Sequence, residues 1–266
     1  GTLTLNKMTV TAIAVNGDFE AGAATEAAES VTKYGPLCMD MVYGCALCNN
    51  ASKDPDRPGE TLGDPTEGAL LFYADRFGVD NEELEDKYPR VFEQPFDSVR
   101  KRMTTVHEIG GEIVAYTKGA VDEMLPLCTR ILTENGVRDM TEADRAKISS
   151  LVQKMSADAL RVLGFAKRVL AQVPEDETAD VERDMIFVGA AGMIDPPRKE
   201  VIGAVETCHA AGIQVVMITG DHKITATAIA KQLHIFREGN IALTGQELPE
   251  MTDDELDAAV KKTTVF

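Results

Sequence analysis

Met103-Thr104-Thr105-Val106-His107-Glu108-Ile109-Gly110-Gly111-Glu112-Ile113-Val114-Ala115-Tyr116-Thr117 is the stretch that decides the fold. Two runs rich in β-branched and aromatic residues meet across Gly110-Gly111, a dipeptide suited to a tight turn, so the spacing predicts a β-hairpin. A second pair, Ile131 to Thr133 and Val137 to Met140, meets across Asn135-Gly136 with the same turn chemistry. Together they predict an antiparallel sheet. Helices are expected to pack on it. Thr141 with Glu142 and Asp144 has the pattern of a capped helix start, and Ile148, Leu151, Val152 and Met155 then recur at helical spacing. Upstream, Met39 to Leu47 reads as an apolar helix.

After Ala190 the pattern changes. An apolar strand ending at Ile194 leads into Pro196-Pro197. A helix follows with Val201, Ile202, Val205 and Cys208 on one face and Gly212 as its stop, then a strand over Ile213 to Ile218 and a helix from about Lys223 to Leu233. This order predicts a strand-helix-strand-helix unit with a parallel sheet. Two architectures imply two domains, with the boundary near Asp195-Pro196-Pro197-Arg198. The polar segments Asn50 to Asp64 and Ala171 to Asp180 read as loops.

Composition bounds the function. The 266 residues are 44% hydrophobic and 27% charged, enough for a sizeable core. Lysine and arginine number 27 against 44 aspartates and glutamates, a formal charge of −17, which disfavours nucleic acid as a partner because a phosphate backbone would be repelled. No run approaches the roughly 18 apolar residues that a membrane-spanning helix needs. The chain starts at Gly1 with no basic-then-apolar leader, so a trimmed fragment without a signal peptide is expected. Five scattered cysteines, Cys38, Cys45, Cys48, Cys128 and Cys208, read as free thiols of a reducing compartment. Cys45-Ala46-Leu47-Cys48 has zinc-like spacing, but no second pair completes a site, and core packing is the better reading.

Two stretches carry candidate chemistry. Thr219-Gly220-Asp221 follows an apolar strand and precedes a helix, where backbone N–H groups and a hydroxyl suit phosphate oxygens; the alternative is an ordinary turn with Asp221 as helix cap. In the middle of the chain, Phe96 can stack on a base, Lys101 and Lys118 can supply charge, and Gly119 would let a ligand approach the backbone. Each also has a plainer explanation: Phe96 in the core, Arg100-Lys101-Arg102 as a solvated face, Gly119 at a turn. In so acidic a chain, three adjacent cations would still draw an anion. Neither G-x-x-x-x-G-K-[ST] nor G-x-G-x-x-G is present.

Taken in order, Gly1-Thr2-Leu3-Thr4, Gly63-Asp64-Pro65-Thr66-Glu67-Gly68-Ala69-Leu70, Phe96-Asp97-Ser98-Val99-Arg100-Lys101-Arg102-Met103, Thr117-Lys118-Gly119-Ala120, Asp195-Pro196-Pro197-Arg198 and Thr219-Gly220-Asp221 resemble the cytoplasmic region of P-type cation-transporting ATPases, closest to the bacterial calcium-pump branch. The resemblance implies an α+β nucleotide-binding domain, an antiparallel sheet flanked by helices over residues 7–194. This domain would be inserted into a partial α/β haloacid-dehalogenase-like (Rossmann-type) phosphorylation domain formed by residues 1–6 and 195–266. It implies ATP as ligand, with Phe96 on adenine, Glu67, Lys101, Lys118 and Gly119 lining the pocket, and Arg161 reaching the phosphates. Asp195 and Arg198 would sit at the hinge near the nucleotide, and Thr2, Thr219, Gly220 and Asp221 would contact the transferred phosphoryl group.

By the same resemblance, the phosphorylated aspartate would precede Gly1, and the Mg²⁺ site would be completed after Phe266. The fragment alone is then expected to be inactive, and to bind ATP weakly, on the order of 0.1–1 mM. Its partners would be the actuator and transmembrane domains of the same pump, at the cytoplasmic face of a membrane. Lys118→Ala is expected to weaken ATP binding with the melting temperature nearly unchanged. Two other classes share these features: a soluble haloacid-dehalogenase-like phosphatase, which needs an N-terminal nucleophile for which Asp18 is the first aspartate, and a non-catalytic nucleotide- or protein-binding module.

Overall fold

The computed structural model describes residues 2–5, 7–15, 22–23, 36–158, 160–176, 180–219, 223–245, 247 and 251–266. The chain divides into two compact units, one made of Met8–Met155 with Arg161–Ile194, the other of Gly1–Lys7, Ser156–Leu160 and Asp195–Phe266.

The larger unit is built on a nine-stranded sheet. Its strands are β1 (Thr9–Val15), β2 (Gly22–Ala23), β5 (Arg90–Asp97), β6 (Arg102–Ile109), β7 (Glu112–Gly119), β8 (Cys128–Thr133), β9 (Gly136–Asp139), β10 (Arg161–Leu170) and β11 (Met185–Ile194). Along its main path the order is β2-β1-β11-β10-β7-β6-β5. Short hairpin strands β3 (Ser52–Lys53) and β4 (Thr61–Leu62) stand apart. The hairpin read from the sequence is present as β6–β7, in register from Arg102↔Gly119 to Ile109↔Glu112, with Gly110 and Gly111 at φ 62° and 86°. The second hairpin is β8–β9. The sheet is mixed: β8 runs parallel to β11, and the pairs along the main path are antiparallel.

Helices α1 (Pro36–Leu47), α2 (Pro65–Asp75) and α3 (Asn81–Lys87) contribute to one core with the sheet. Gly44 of α1 lies against the rings of Phe165 and Tyr116, which share one sheet face. On the opposite face Gly164 meets Val121 and Met124 of α4 (Val121–Met124) together with Phe187. Helix α5 (Glu142–Ala157) opens as the sequence predicts. The Thr141 hydroxyl accepts from Asp144 N–H at 3.2 Å, Asp144 Oδ2 accepts from Thr141 N–H at 2.8 Å, and Ile148, Leu151 and Met155 are buried. Cys45 and Cys48 are fully buried in the core, and burial pushes both thiols up.

Two expectations need correction. The strand ending at Ile194 does not open a parallel unit. It is β11, all ten residues buried, paired antiparallel with β1 and β10 inside the larger unit. A strand covered on both faces is apolar throughout, which is also the pattern of a parallel strand. Second, Ile213 to Ile218 forms no strand of its own length. Only Met217 bridges, parallel to Val265 of the short strand β13 (Thr263–Val265), with Met217 N–H donating to Thr264 O at 2.9 Å and Phe266 N–H to Met217 O at 2.9 Å. Ile213 and Ile218 are exposed. An apolar run forms a ladder only where a neighbouring backbone accepts it along its length. The remaining parallel pair in this unit joins β12 (Ile241–Ala242) to β13. Helices α6 (Lys199–Ala210) and α7 (Lys223–Gln232) stand where the sequence puts them, and α8 (Asp253–Val260) carries a complete Thr252–Glu255 capping box.

Candidate functional site

A cleft of about 400 Å³ opens at the end of the large sheet where β5 and β7 finish and β6 and β10 begin. Antiparallel order is what gathers these ends. Met103 faces Lys118 across β6–β7, and Phe165 faces Lys118 across β7–β10. Because side chains alternate along a strand, Lys118 shares the α1 face with Val114 and Tyr116, and Arg161 and Leu163 share that face with Phe165. The floor is apolar, with Met103 and Leu163; Phe96 stands at the wall with 63% of its surface exposed. An exposed phenylalanine beside a cleft replaces the reading of Phe96 as a core residue.

The opposite wall is the N-terminus of α2. Asp64 caps it, accepting from Thr66 N–H at 2.7 Å, and Pro65 occupies the first turn, where its missing N–H costs nothing. Burial pushes the Asp64 carboxyl up. The hydrogen bonds from the Thr66 side chain and backbone and from Glu67 N–H, with the charge of Arg161, outweigh this and hold it below the usual carboxylate range. Arg161 Nη1 donates to Thr66 Oγ1 at 2.8 Å. Asp64 already takes up N–H groups of the first turn, so the cation this wall offers to an anion is the Arg161 guanidinium.

Lys118 is not a free cation. It is only 7% exposed, and its ammonium donates at 2.5 Å both to Glu67 Oε1 and to Cys48 O, just past the end of α1. Glu67 Oε2 accepts from Asn50 N–H at 3.2 Å, and Arg90 Nη1 donates to Asn50 Oδ1 at 2.7 Å. Lys118 and Glu67 therefore form a largely buried pair that holds α2 to the sheet end and leaves the neighbouring polar edges facing the cleft. Gly119 lines the cleft and also meets a packing need. A Cβ there would lie 2.5 Å from both Arg102 Cβ and Lys101 O, so the glycine is required by the adjacent strand.

The structure thus brings Glu67, Phe96, Lys118, Gly119 and Arg161 to one cleft. Lys101 is turned from the lining toward Glu123, at 3.0 Å, with φ 52° in the left-handed region. Arg100 and Arg102 both pair with Glu182 at 2.6 Å, so each cation of the run has a partner within the fold, although two carboxylates against three cations leave one positive charge. The other candidates belong to the smaller unit. Asp195 accepts from Thr4 Oγ1 at 2.6 Å and from Lys7 N–H at 3.1 Å, while Arg198 N–H donates to Leu3 O at 3.0 Å. Thr2 is exposed, and Thr219 N–H donates to Phe266 O at 3.0 Å. Gly220, Asp221 and Asp18 lie outside the described residues. Asn50, Asp64, Thr66, Met103 and Leu163 also line the cleft; Asp64, Thr66 and Met103 stand within the quoted motifs, with no pocket role expected of them. Asp64-Pro65-Thr66 was findable as a helix start; Asn50 and Leu163 carry no local signal.

The chain belongs to the P-type ATPases: residues 37–200 match the family described as P-type ATPase, cytoplasmic domain N. Over its whole length it is 37% identical to calcium-transporting ATPase 1 of Lactococcus lactis and 40% identical to calcium-transporting ATPase 1 of Bacillus cereus, spanning 29% of each. It is 38% identical to the cation-transporting ATPase pma1 of Synechocystis, of which it spans 31%. The chain thus spans about three-tenths of the length of these relatives. Among the described residues, no helix is long and apolar enough to cross a membrane.

Proposed function

We propose that this chain is the ATP-binding cytoplasmic part of an ion-translocating pump, and that the cleft at the sheet end receives the nucleotide. The observation that carries the reading is an exposed aromatic, Phe96, beside an apolar floor and opposite the N-terminus of α2, against which Arg161 of β10 is held. Adenine stacks on Phe96 over Met103 and Leu163. Glu67 and Asn50 offer polar edges to the base, and the phosphates run toward Arg161. Lys101, half-exposed beside Gly119, exchanges Glu123 for a phosphate oxygen at the rim. Lys118 keeps Glu67 in place as well as contributing charge.

Residues 7–194 then act as the nucleotide-binding domain, inserted into a haloacid-dehalogenase-like phosphorylation domain to which residues 1–6 and 195–266 contribute. In the complete pump the γ-phosphate passes to an aspartate upstream of Gly1. Thr2, Thr219, Gly220 and Asp221 contact the phosphoryl group, and Asp195 and Arg198 lie at the hinge. Actuator and transmembrane domains complete the machine at the cytoplasmic face of a membrane, and the naming of several relatives makes calcium the ion proposed. Mg²⁺ would arrive with the nucleotide. The described residues present no group of three or more His, Cys, Asp or Glu able to hold it.

The test is an ATP titration followed by amide NMR. Saturable shifts at Glu67, Phe96, Lys118 and Arg161, with a dissociation constant on the order of 0.1–1 mM, are expected. No saturable shift at several millimolar ATP would overturn the reading.

A further inference from the structure

A residue 63% exposed is held little by packing, so the position of Phe96 depends on its backbone. The sheet does little to hold it. β5 is an edge strand, Pro95 has no N–H to donate, and the β5–β6 register breaks between Gln94↔Thr104 and Asp97↔Arg102, which leaves Pro95 and Phe96 outside the regular ladder. The turn beyond is held locally. Asp97 Oδ1 accepts from Val99 and Arg100 N–H, each at 2.9 Å, and Asp97 O accepts from Lys101 N–H at 2.6 Å.

One tie reaches the backbone next to Phe96. Arg100 Nη2 donates to Pro95 O at 2.6 Å, while Arg100 Nη1 donates to both carboxylate oxygens of Glu182 at 2.6 Å. The same carboxylate accepts from Arg102 Nε at 2.6 Å and from Thr104 Oγ1 at 2.9 Å, and Arg102 Nη1 returns to Arg100 O at 3.0 Å. Glu182 is 5% exposed and stands 82 residues along the chain, just before β11. Two neighbouring guanidinium groups would repel one another; a buried carboxylate shared between them fixes both.

We propose that Glu182 is the positioning residue for the aromatic wall of the cleft, acting through Arg100 on the Pro95 carbonyl and so on Phe96. The proposal rests on the reading of Phe96 as the nucleotide-stacking residue. Its mechanical part is independent of any ligand: the carboxylate sets the order of residues 95–101.

The experiment uses this chain with Glu182→Gln, Phe96→Ala and both together. It measures binding of ATP and of inorganic tripolyphosphate, which has no base to stack, and amide hydrogen exchange at residues 96–101. Glu182→Gln should weaken ATP binding about 5-fold or more, the low end of one stacking contact, and leave tripolyphosphate within about 2-fold. The double variant should bind ATP within about 2-fold of Phe96→Ala alone, since a residue that acts through Phe96 has nothing left to act on. Exchange at Val99, Arg100 and Lys101 should rise about 10-fold. Equal losses for the two ligands, additive losses in the double variant, or unchanged exchange would overturn the proposal. If the unsubstituted chain binds no ATP, the nucleotide reading fails, and the exchange data alone decide whether Glu182 orders the turn. Should Glu182→Gln not fold, Arg100→Lys keeps the charge but loses the fork that joins Glu182 to Pro95 O, and must give the same pattern.

Discussion

Replacing Lys118 with methionine removes the ammonium while keeping most of the stem that packs below it. The sequence suggests a binding residue whose loss leaves stability unchanged; the structure predicts otherwise. Two charge-assisted hydrogen bonds disappear, to Glu67 Oε1 and Cys48 O. Glu67, with 17% of its side chain exposed, keeps the Asn50 N–H but loses its counter-charge. Breaking a fully buried pair costs about 3–5 kcal/mol. Partial access of water to Glu67 lowers this to about 2–3 kcal/mol, of the order of one charge-assisted hydrogen bond. For a unit of this size that is a fall in melting temperature of about 4–12 °C. The assay is thermal unfolding of the chain without nucleotide, repeated for Glu67→Gln and for the double variant. The two single losses should together exceed the loss in the double variant, because each strands the other partner. A fall below about 2 °C for Lys118→Met, or strictly additive losses, would refute the claim that the pair holds α2 to the sheet.

The remaining predictions concern the same sheet end and the helix behind it. Phe96→Ala should leave the melting temperature within about 2 °C, since the ring is exposed. It should weaken ATP binding by about 5- to 150-fold, the equivalent of 1–3 kcal/mol of stacking, as read by calorimetric titration. Gly119→Ala should destabilise by about 1–3 kcal/mol, because its Cβ drives into Arg102 and Lys101, and the loss should appear in thermal unfolding without ligand. Hydrogen bonds from Arg138 hold the Asp144 carboxyl well below the usual carboxylate range, with Thr141 assisting against the opposing effect of burial. A depressed folded value contributes stability above the unfolded value of about 3.9, and this is lost as pH falls through the folded one. Asp144→Asn should therefore flatten the acid limb of a stability-against-pH curve.

What could be read from the sequence was local. The β6–β7 and β8–β9 hairpins follow from two-residue turns, and α5 from a cap beside a helical period; neither needs knowledge of a distant residue. What could not be read depends on separation. β11 has the composition of a parallel strand because both its faces are covered, and only its partners β1 and β10 reveal the direction. Lys118 looks like a free cation until Glu67, 51 residues earlier, is brought beside it. Arg100 and Arg102 look like an anion trap until Glu182 is seen between them. Phe96 is ambiguous for the same reason, since whether an aromatic at the end of an edge strand is covered depends on which helices reach it, and among the described residues it stays exposed.

The contact between base and ring tests the account most directly. With the chain saturated by ATP, nuclear Overhauser effects from the adenine H2 and H8 protons should reach the ring protons of Phe96 and the side chains of Met103 and Leu163. Saturable binding in which adenine touches other residues and leaves Phe96 silent would contradict it.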